Sequence, residues 1–331
     1  MVNLKKKSDN KIVSFSFGEP VPMSASAIFD FLEMNSFNGR YYEPPIDRDG
    51  LAKSFRISPH HSSAIFAKRN ILTSLFVNHR LLSRAEFGKW VTDFLIFGDS
   101  FMENIVNRLG NPISLRNSLA KKTRVGKDDK FFFIESYSKI HEFNDNRIFH
   151  LIEPDINQEI YGAPTYLAGL QSAWLNESAT LFRRRYFENG AHGGYIMYMS
   201  DAAADTDDIS TLIDSIKKTK GTGNFKNMFL YAPNGKKDGL QIIPLSEVQA
   251  KDQFLNIKKI TRDDILAAHR VPAQMLGVVP ENTGGFGDVE KASRIFYLNE
   301  IFPLQQQLQA LNDWLGVEVV KFNEYRILDE K

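Results

Sequence analysis

Residues 164–190 read PTYLAGLQSAWLNESATLFRRRYFENG, and this stretch decides how the chain is organised. Proline suits a first helical turn, where its missing N–H costs nothing, and Asn189-Gly190 suits a left-handed cap at the far end. Between them Leu167, Leu170, Trp174, Leu181 and Phe182 recur at roughly helical spacing. A helix of this length runs about 40 Å, more than twice the span of the usual globular helix of about 11–12 residues.

A small module follows. Tyr195–Met199 reads as a strand. Asp205 caps a predicted helix through Lys220 that places Ile209, Leu212, Ile213 and Ile216 on one face, with acids at its start and lysines at its end. Residues 225–231 and 240–244 read as two more strands around Pro233-Asn234-Gly235, giving a β-α-β-β unit. A second helical pattern then covers 251–269, with capping-box-like spacing at Thr261 and Asp264 that predicts a break or restart there. Asp288 caps a last long helix with Ile295, Leu298, Phe302, Leu308 and Leu311 on one side, and Pro303 is expected to kink it.

Upstream, helical spacing covers 25–34, 63–78 and 85–97, and strand-like runs cover 101–108, 130–135 and 147–153. The basic cluster Lys121, Lys122, Arg124, Lys127 and Lys130 reads first as a solvated loop, with an inter-subunit or nucleic-acid contact as the alternative. Residues 1–14, carrying Lys5-Lys6-Lys7, read as a flexible basic tail. Their basic start leads into no sustained apolar core, so they are not a secretory signal.

Composition narrows the chemistry. The chain has 331 residues, 43% hydrophobic and 24% charged, with a formal net charge of +1. Near-neutrality argues against a strongly basic nucleic-acid binder but says nothing of local patches. Cysteine is absent, which excludes disulfides and thiolate metal sites. The seven histidines lack HExxH spacing, and the adjacent His60 and His61 point in different directions on any regular element, so no metal centre is expected. The longest apolar runs, such as 94–97, fall far short of the roughly 20 residues of a membrane span.

TGGFGD at 283–288 raises the question of a phosphate cradle. VEKA follows it, so the Lys-Ser/Thr pair of a P-loop is missing, and no strand precedes it in the G-x-G-x-x-G order of a dinucleotide site. No serine lies in a G-x-S-x-G elbow. Asp201, Asp205, Asp207 and Asp208 crowd a helix start, where the macrodipole already favours acids. No catalytic residue, metal site or cofactor is expected. A nucleic-acid enzyme, a nuclease or an ATPase, remains the alternative class, disfavoured by these missing motifs.

The order of motifs resembles the portal proteins of tailed bacteriophages, most closely the short PBSX-like, capsid-packaging family of contractile-tailed phages. The resemblance rests on FGEPVP (17–22), YEPP (42–45), HHSS (60–63), KRNIL (68–72), FLIFGDSFME (94–103), HLIEPDINQEIYG (150–162), SAWLNESATLFRRRYFENGAHGGYIMY (172–198), NFKNMFLYAPNGKKDGLQIIPLSEV (224–248), DDILAAHRVPAQMLG (263–277) and PENTGGFGDVEKA (280–292). It implies an α+β portal fold: a wing from 15–161 and 288–331, stem helices within 162–190 and 248–276, a clip at 191–247 and a tunnel loop at 277–287. Any crown is small, since the chain stops soon after Trp314.

The resemblance further implies a homo-oligomeric ring, a dodecamer in the virion, at one capsid vertex. Double-stranded DNA would pass through it without sequence-specific contact. Terminase, capsid and scaffold proteins, and head-completion or tail-connector proteins are the implied partners, with no membrane. Candidate channel residues are Arg183, Arg184 and Arg185 on the first stem helix, Lys258, Lys259 and Arg262 on the second, and Asn282, Thr283, Gly284, Gly285, Phe286 and Gly287 in the loop. Three consecutive arginines spread over roughly 200° of a helix, so some are expected in inter-subunit salt bridges rather than on DNA.

Overall fold

The computed structural model describes residues 13–16, 37–136, 139–156, 158–188, 195–199, 228–231, 240–244, 247–278 and 288–326. Two compact units emerge, one of Met1–Met23 with Glu177–Lys259 and one of Ser24–Asn176 with Ile260–Lys331. Both long central helices are shared between them.

In the larger unit, helices α1 (Arg48–Ser54), α2 (Pro59–Leu75) and α3 (Arg84–Phe97) precede two antiparallel three-stranded sheets. Strands β2 (Asp99–Val106), β3 (Pro112–Ser118) and β7 (Ile148–Ile152) form one in the order β3-β2-β7, and β4 (Thr123–Val125), β5 (Phe131–Ser136) and β6 (Lys139–Glu142) form a meander. The α3 boundaries follow from local chemistry. Ser83 Oγ accepts from the Glu86 amide at the start, Gly98 takes a left-handed cap at φ 69° at the end, and Phe87, Trp90, Val91 and Phe94 are buried between.

One core packs these residues against Phe76, Leu308, Leu311, Val319 and Val320, with Phe76 stacked on Phe87 at 4.0 Å. The other gathers Leu51, Ile65, Phe101, Tyr161 and Tyr166. The basic cluster at 121–130 is bound into this unit. Lys121 pairs with Asp49, Arg124 with Glu43 at 3.3 Å and Lys130 with Glu142 at 2.9 Å, while Lys122 and Lys127 lie over the rings of Phe133 and Phe37. Arg124 sits within a strand, so the solvated-loop reading is corrected there, whereas Lys127 and Lys130 are exposed and lie outside any strand, as that reading expects.

A buried carboxylate joins the two halves of this unit. Asp99 Oδ2 accepts from Arg48 Nη2 at 2.8 Å, and Asp99 Oδ1 accepts from the Gly162 amide at 3.0 Å and meets His150 Nε2 at 2.7 Å. Gly98 and Gly162 let the two segments touch: a Cβ on Gly98 would lie 2.4 Å from the Ala163 carbonyl carbon, and one on Gly162 would lie 2.1 Å from the Gly98 oxygen.

Helix α4 (Leu170–Glu188) and helix α5 (Glu247–Ala268) are the long central pair. Proline does not open α4 directly. A 3-10 turn at Leu167–Gly169 intervenes, and Gly169 permits close approach to Ala268, whose Cβ would be 2.6 Å from a Cβ at that glycine. Nor does α5 break at Thr261, because the Thr261 hydroxyl is buried and accepts from Asn176 Nδ2 at 2.8 Å instead of capping a new helix.

The smaller unit holds a four-stranded sheet of β1 (Val13–Ser16), β8 (Tyr195–Met199), β9 (Met228–Tyr231) and β10 (Leu240–Pro244) in the order β1-β9-β8-β10. Strands β8 and β9 are parallel, which requires a long crossover; the helix expected at 205–220 lies outside the described residues. Strand β1 corrects the sequence reading, which ended a tail at 14 and began the wing at 15. Val13 and Phe15 alternate with Ser14 and Ser16, and this short half-apolar strand adds an antiparallel edge to β9. The sequence-predicted helix at 25–34 lies outside the described residues.

Helix α6 (Val289–Phe296) starts on Asp288, whose Oδ1 accepts from the Lys291 amide at 2.9 Å, and passes through a π turn at Tyr297–Ile301 into α7 (Phe302–Leu315). Pro303 thus lies in the first turn of α7, where it removes no needed bond. The wide turn also rotates the helix face. Leu308 and Leu311 are buried, whereas Ile295, Leu298 and Phe302 are exposed, so the five residues do not share one side as the spacing predicts.

Two glycines test this account. Gly98→Ala meets both a left-handed backbone and the 162–163 segment, and should lower unfolding free energy by more than about 2 kcal/mol. Gly110→Ala has φ 85° but open space around it, and should cost only about 1 kcal/mol. Chemical denaturation of the two variants measures the difference.

Candidate functional site: the helix pair and the base of the loop

Polar rungs fix the register of α4 and α5. In the larger unit Ser172 Oγ donates to Asp264 Oδ2 at 2.9 Å and Asn176 Nδ2 donates to Thr261 Oγ1 at 2.8 Å. In the smaller unit Lys258 Nζ donates to Thr180 Oγ1 at 2.5 Å. Steps of four on α4 against steps of three on α5, in opposite senses, mark an antiparallel pair.

The candidate cations occupy different environments. Arg183 and Arg184 are exposed on α4, and the side chain of Arg185 is outside the described residues. Lys258 is half-buried; burial lowers its pKa, and the nearby Arg183 lowers it further. Arg183 and Lys258 are thereby brought together as like charges within the smaller unit. Lys259 is exposed, while Arg262 is half-buried and donates from Nε to its neighbour Asp263 at 2.8 Å. Asn282, Thr283, Gly284, Gly285, Phe286 and Gly287 all lie outside the described residues.

The base of that loop is described, and sequence reasoning missed its organisation. The connection leaves α5 at Arg270, which holds a left-handed φ of 55° although it carries a side chain. It returns through α6 to Glu300 in the π turn. Glu300 Oε1 accepts from Lys68 Nζ at 2.5 Å, and Glu300 Oε2 meets Arg270 Nη1 at 3.3 Å. One carboxylate therefore binds α2, the end of α5 and the returning helix.

Beside it, His61 Nδ1 and His269 Nε2 lie 2.8 Å apart, with the Tyr166 ring stacked on His269. Burial lowers the pKa of both imidazoles, and that of His269 is pulled down further by His61 and Lys68. Burial likewise lowers Lys68 against the pull of Glu300, and raises Glu153 nearby. Lys68, Glu153, Tyr166, His269 and Glu300 line a small cavity of about 80 Å³ together with Arg270 and Gln307. Nucleophile, base and oxyanion donors are not assembled there. Among the described residues no group of three or more metal-ligating side chains occurs, and no helix is long and apolar enough to cross a membrane.

The chain thus passes from a mixed α+β unit through α4 into a unit with a four-stranded sheet, and returns through α5. The chain superimposes on a subunit from the neck of a native gene transfer agent particle, reconstructed with C12 symmetry, with a TM-score of 0.63 at 17% identity, covering 89% of this chain and 87% of that one. It also matches an HK97-family phage portal protein from Corynebacterium diphtheriae with a TM-score of 0.57 at 12% identity, covering 82% of this chain and 94% of that one. The family model described as phage portal protein matches residues 67–330. A probable portal protein of Escherichia phage P2 is 52% identical over 322 residues, which cover 97% of this chain and 93% of the relative. The chain belongs to the phage portal protein family.

The charge geometry separates two carboxylate-linked cations. Glu300→Gln leaves Lys68 buried without its counter-ion and should destabilise the fold by about 3–5 kcal/mol. Arg270→Gln removes a side chain that is 62% exposed and should cost under about 1 kcal/mol. Thermal or denaturant unfolding of each variant checks the contrast.

Proposed function

We propose that this chain is the subunit of a homo-oligomeric ring at one capsid vertex, the conduit for double-stranded DNA during packaging and ejection, and the docking platform for terminase and head-completion proteins. Family membership carries this reading, and the C12 neck in which the fold recurs supports a dodecamer. It acts in the virion at the portal vertex and in the host cytoplasm during assembly, where capsid and scaffold proteins are its further partners. Its role is mechanical rather than catalytic.

On this reading α4 and α5 form the stem, the four-stranded sheet unit the clip, residues 277–287 the tunnel loop, and the remainder of the larger unit the wing. Ring symmetry resolves the charge balance. A subunit of net charge +1 presents each cation once per copy, so Arg183, Arg184, Lys258 and Lys259 become belts of positive charge. Belts hold phosphates without reading sequence.

The tunnel loop has four glycines and neither lysine nor arginine, so its contact with DNA is weak and its backbone is free to change course. Asn282, Thr283 and Phe286 form the sliding surface. Negative-stain electron microscopy of the purified chain is expected to show rings with an open centre; a preparation that stays monomeric under head-assembly conditions would sink the proposal. Gly284→Ala with Gly285→Ala should leave the rings intact and lower DNA filling of heads, and normal filling would refute the mechanical role of the loop.

A further inference from the structure

The ring reading, on which this inference rests, leaves open which surface of the larger unit meets the next copy. The α6–α7 segment carries an apolar stripe that none of the described residues covers: Ile295 is 58% exposed, Leu298 55% and Phe302 44%. Their spacing of three and four residues makes them neighbours on one side of the helix. Single exposed apolar residues are ordinary, but three large ones in a row form a continuous patch that water solvates poorly. The opposite side of the same segment already supplies the core through Phe296, Ile301 and Leu304, so the stripe is a second apolar face.

A closed ring of one chain requires a heterologous contact, in which each subunit offers two different and complementary surfaces. The larger unit has a second surface with the right chemistry. Leu175 on α4 and Ile260 on α5 are 50% and 61% exposed, because the inner sides of these helices are committed to the rungs Ser172–Asp264 and Asn176–Thr261. The charges beside the two surfaces differ in sign. Arg294 is the exposed ionic residue within the stripe segment 292–306, where Glu300 is buried. Next to Ile260 stand the exposed carboxylates Asp263 and Asp264, with Arg262 half-buried and turned to Asp263.

We infer that the stripe Ile295, Leu298 and Phe302 packs on the Leu175 and Ile260 surface of a second copy of this chain, with Arg294 facing the Asp263 and Asp264 carboxylates. The partner is another copy rather than a different protein because both halves of the match, apolar and ionic, are present on one chain. The contact is head-to-tail, so each copy keeps one free stripe and one free Leu175–Ile260 surface until the ring closes.

The heterologous geometry gives a test that a merely sticky patch would not pass. Ile295→Glu with Leu298→Glu disables one surface, and Leu175→Glu with Ile260→Glu disables the other. All four positions are exposed, so both variants should keep the wild-type circular dichroism, and each alone should be monomeric by mass photometry. Mixed in equal amounts, they retain one intact pair of surfaces and should give a species of about twice the monomer mass that grows no further. Leu109→Glu, at a residue 85% exposed in the β2–β3 turn, should form rings like the wild type. Rings from either double variant, or a mixture that stays monomeric, overturns the inference while wild-type rings preserve the portal reading. Wild-type protein that makes no rings overturns both.

Discussion

The Asp99 carboxylate is the point on which the larger unit depends. It stands at the first residue of β2, straight after the left-handed turn that ends α3, and is almost fully buried. Three donors from distant parts of the chain converge on it: Arg48 from α1, His150 from β7 and the Gly162 amide ahead of α4. Arg48 in turn donates to the Ala120 and Thr123 carbonyls and lies over the Tyr161 ring at 4.8 Å, while the Tyr161 hydroxyl donates to the Tyr42 carbonyl at 2.6 Å. A buried ion with each oxygen satisfied costs little, whereas loss of any partner leaves an unpaired group in a dry site. The network thus sets where the chain enters α4, since Gly162 is only eight residues before Leu170.

The α4–α5 pair combines two kinds of contact. Within the larger unit the hydrogen bonds Ser172–Asp264 and Asn176–Thr261 run beside the buried Leu170, Ala173, Ile265 and Leu266, and Gly169 allows the closest approach. The small polar contacts specify register, while the leucines and the isoleucine supply apolar burial. Leu175 and Ile260 stay outward. In α6 and α7 the π turn likewise leaves Ile295, Leu298 and Phe302 exposed.

Sequence pattern reached some elements and not others, for physical reasons. Helix α3 carries a clear apolar period with a serine cap and a terminal glycine, and the predicted 85–97 falls within one residue of Arg84–Phe97. Strand β10 is matched at both ends, because proline and glycine bound it. Strands β3, β4 and β6 were missed: PISLRNS, TRV and KIHE have too few apolar residues for a two-residue period to stand out. Among the candidate residues, Arg183, Arg184 and Lys259 were reached through the resemblance, as charges on two long helices. The Lys68–Glu300 pair could not be, since its partners lie 232 residues apart and each looks like an ordinary surface charge. KRNIL contains Lys68, but none of the motifs that carry the resemblance contains Glu300.

Glu300 also bears on how the connection between α5 and α6 is attached to the larger unit. The connection between α5 and α6 begins at a strained, left-handed Arg270 and ends in a π turn, two irregular features that would each tolerate displacement if left unsupported. Both are held by one carboxylate, itself paired with Lys68 inside the core. Displacing the loop base would separate Arg270 from Glu300 first, a partly solvated contact of low cost, before reaching the buried Lys68 pair, whose rupture is expensive. The Arg270–Glu300 contact is thus the outer, yielding tie of the loop base, and the Lys68–Glu300 contact is the anchor that holds the π turn to α2.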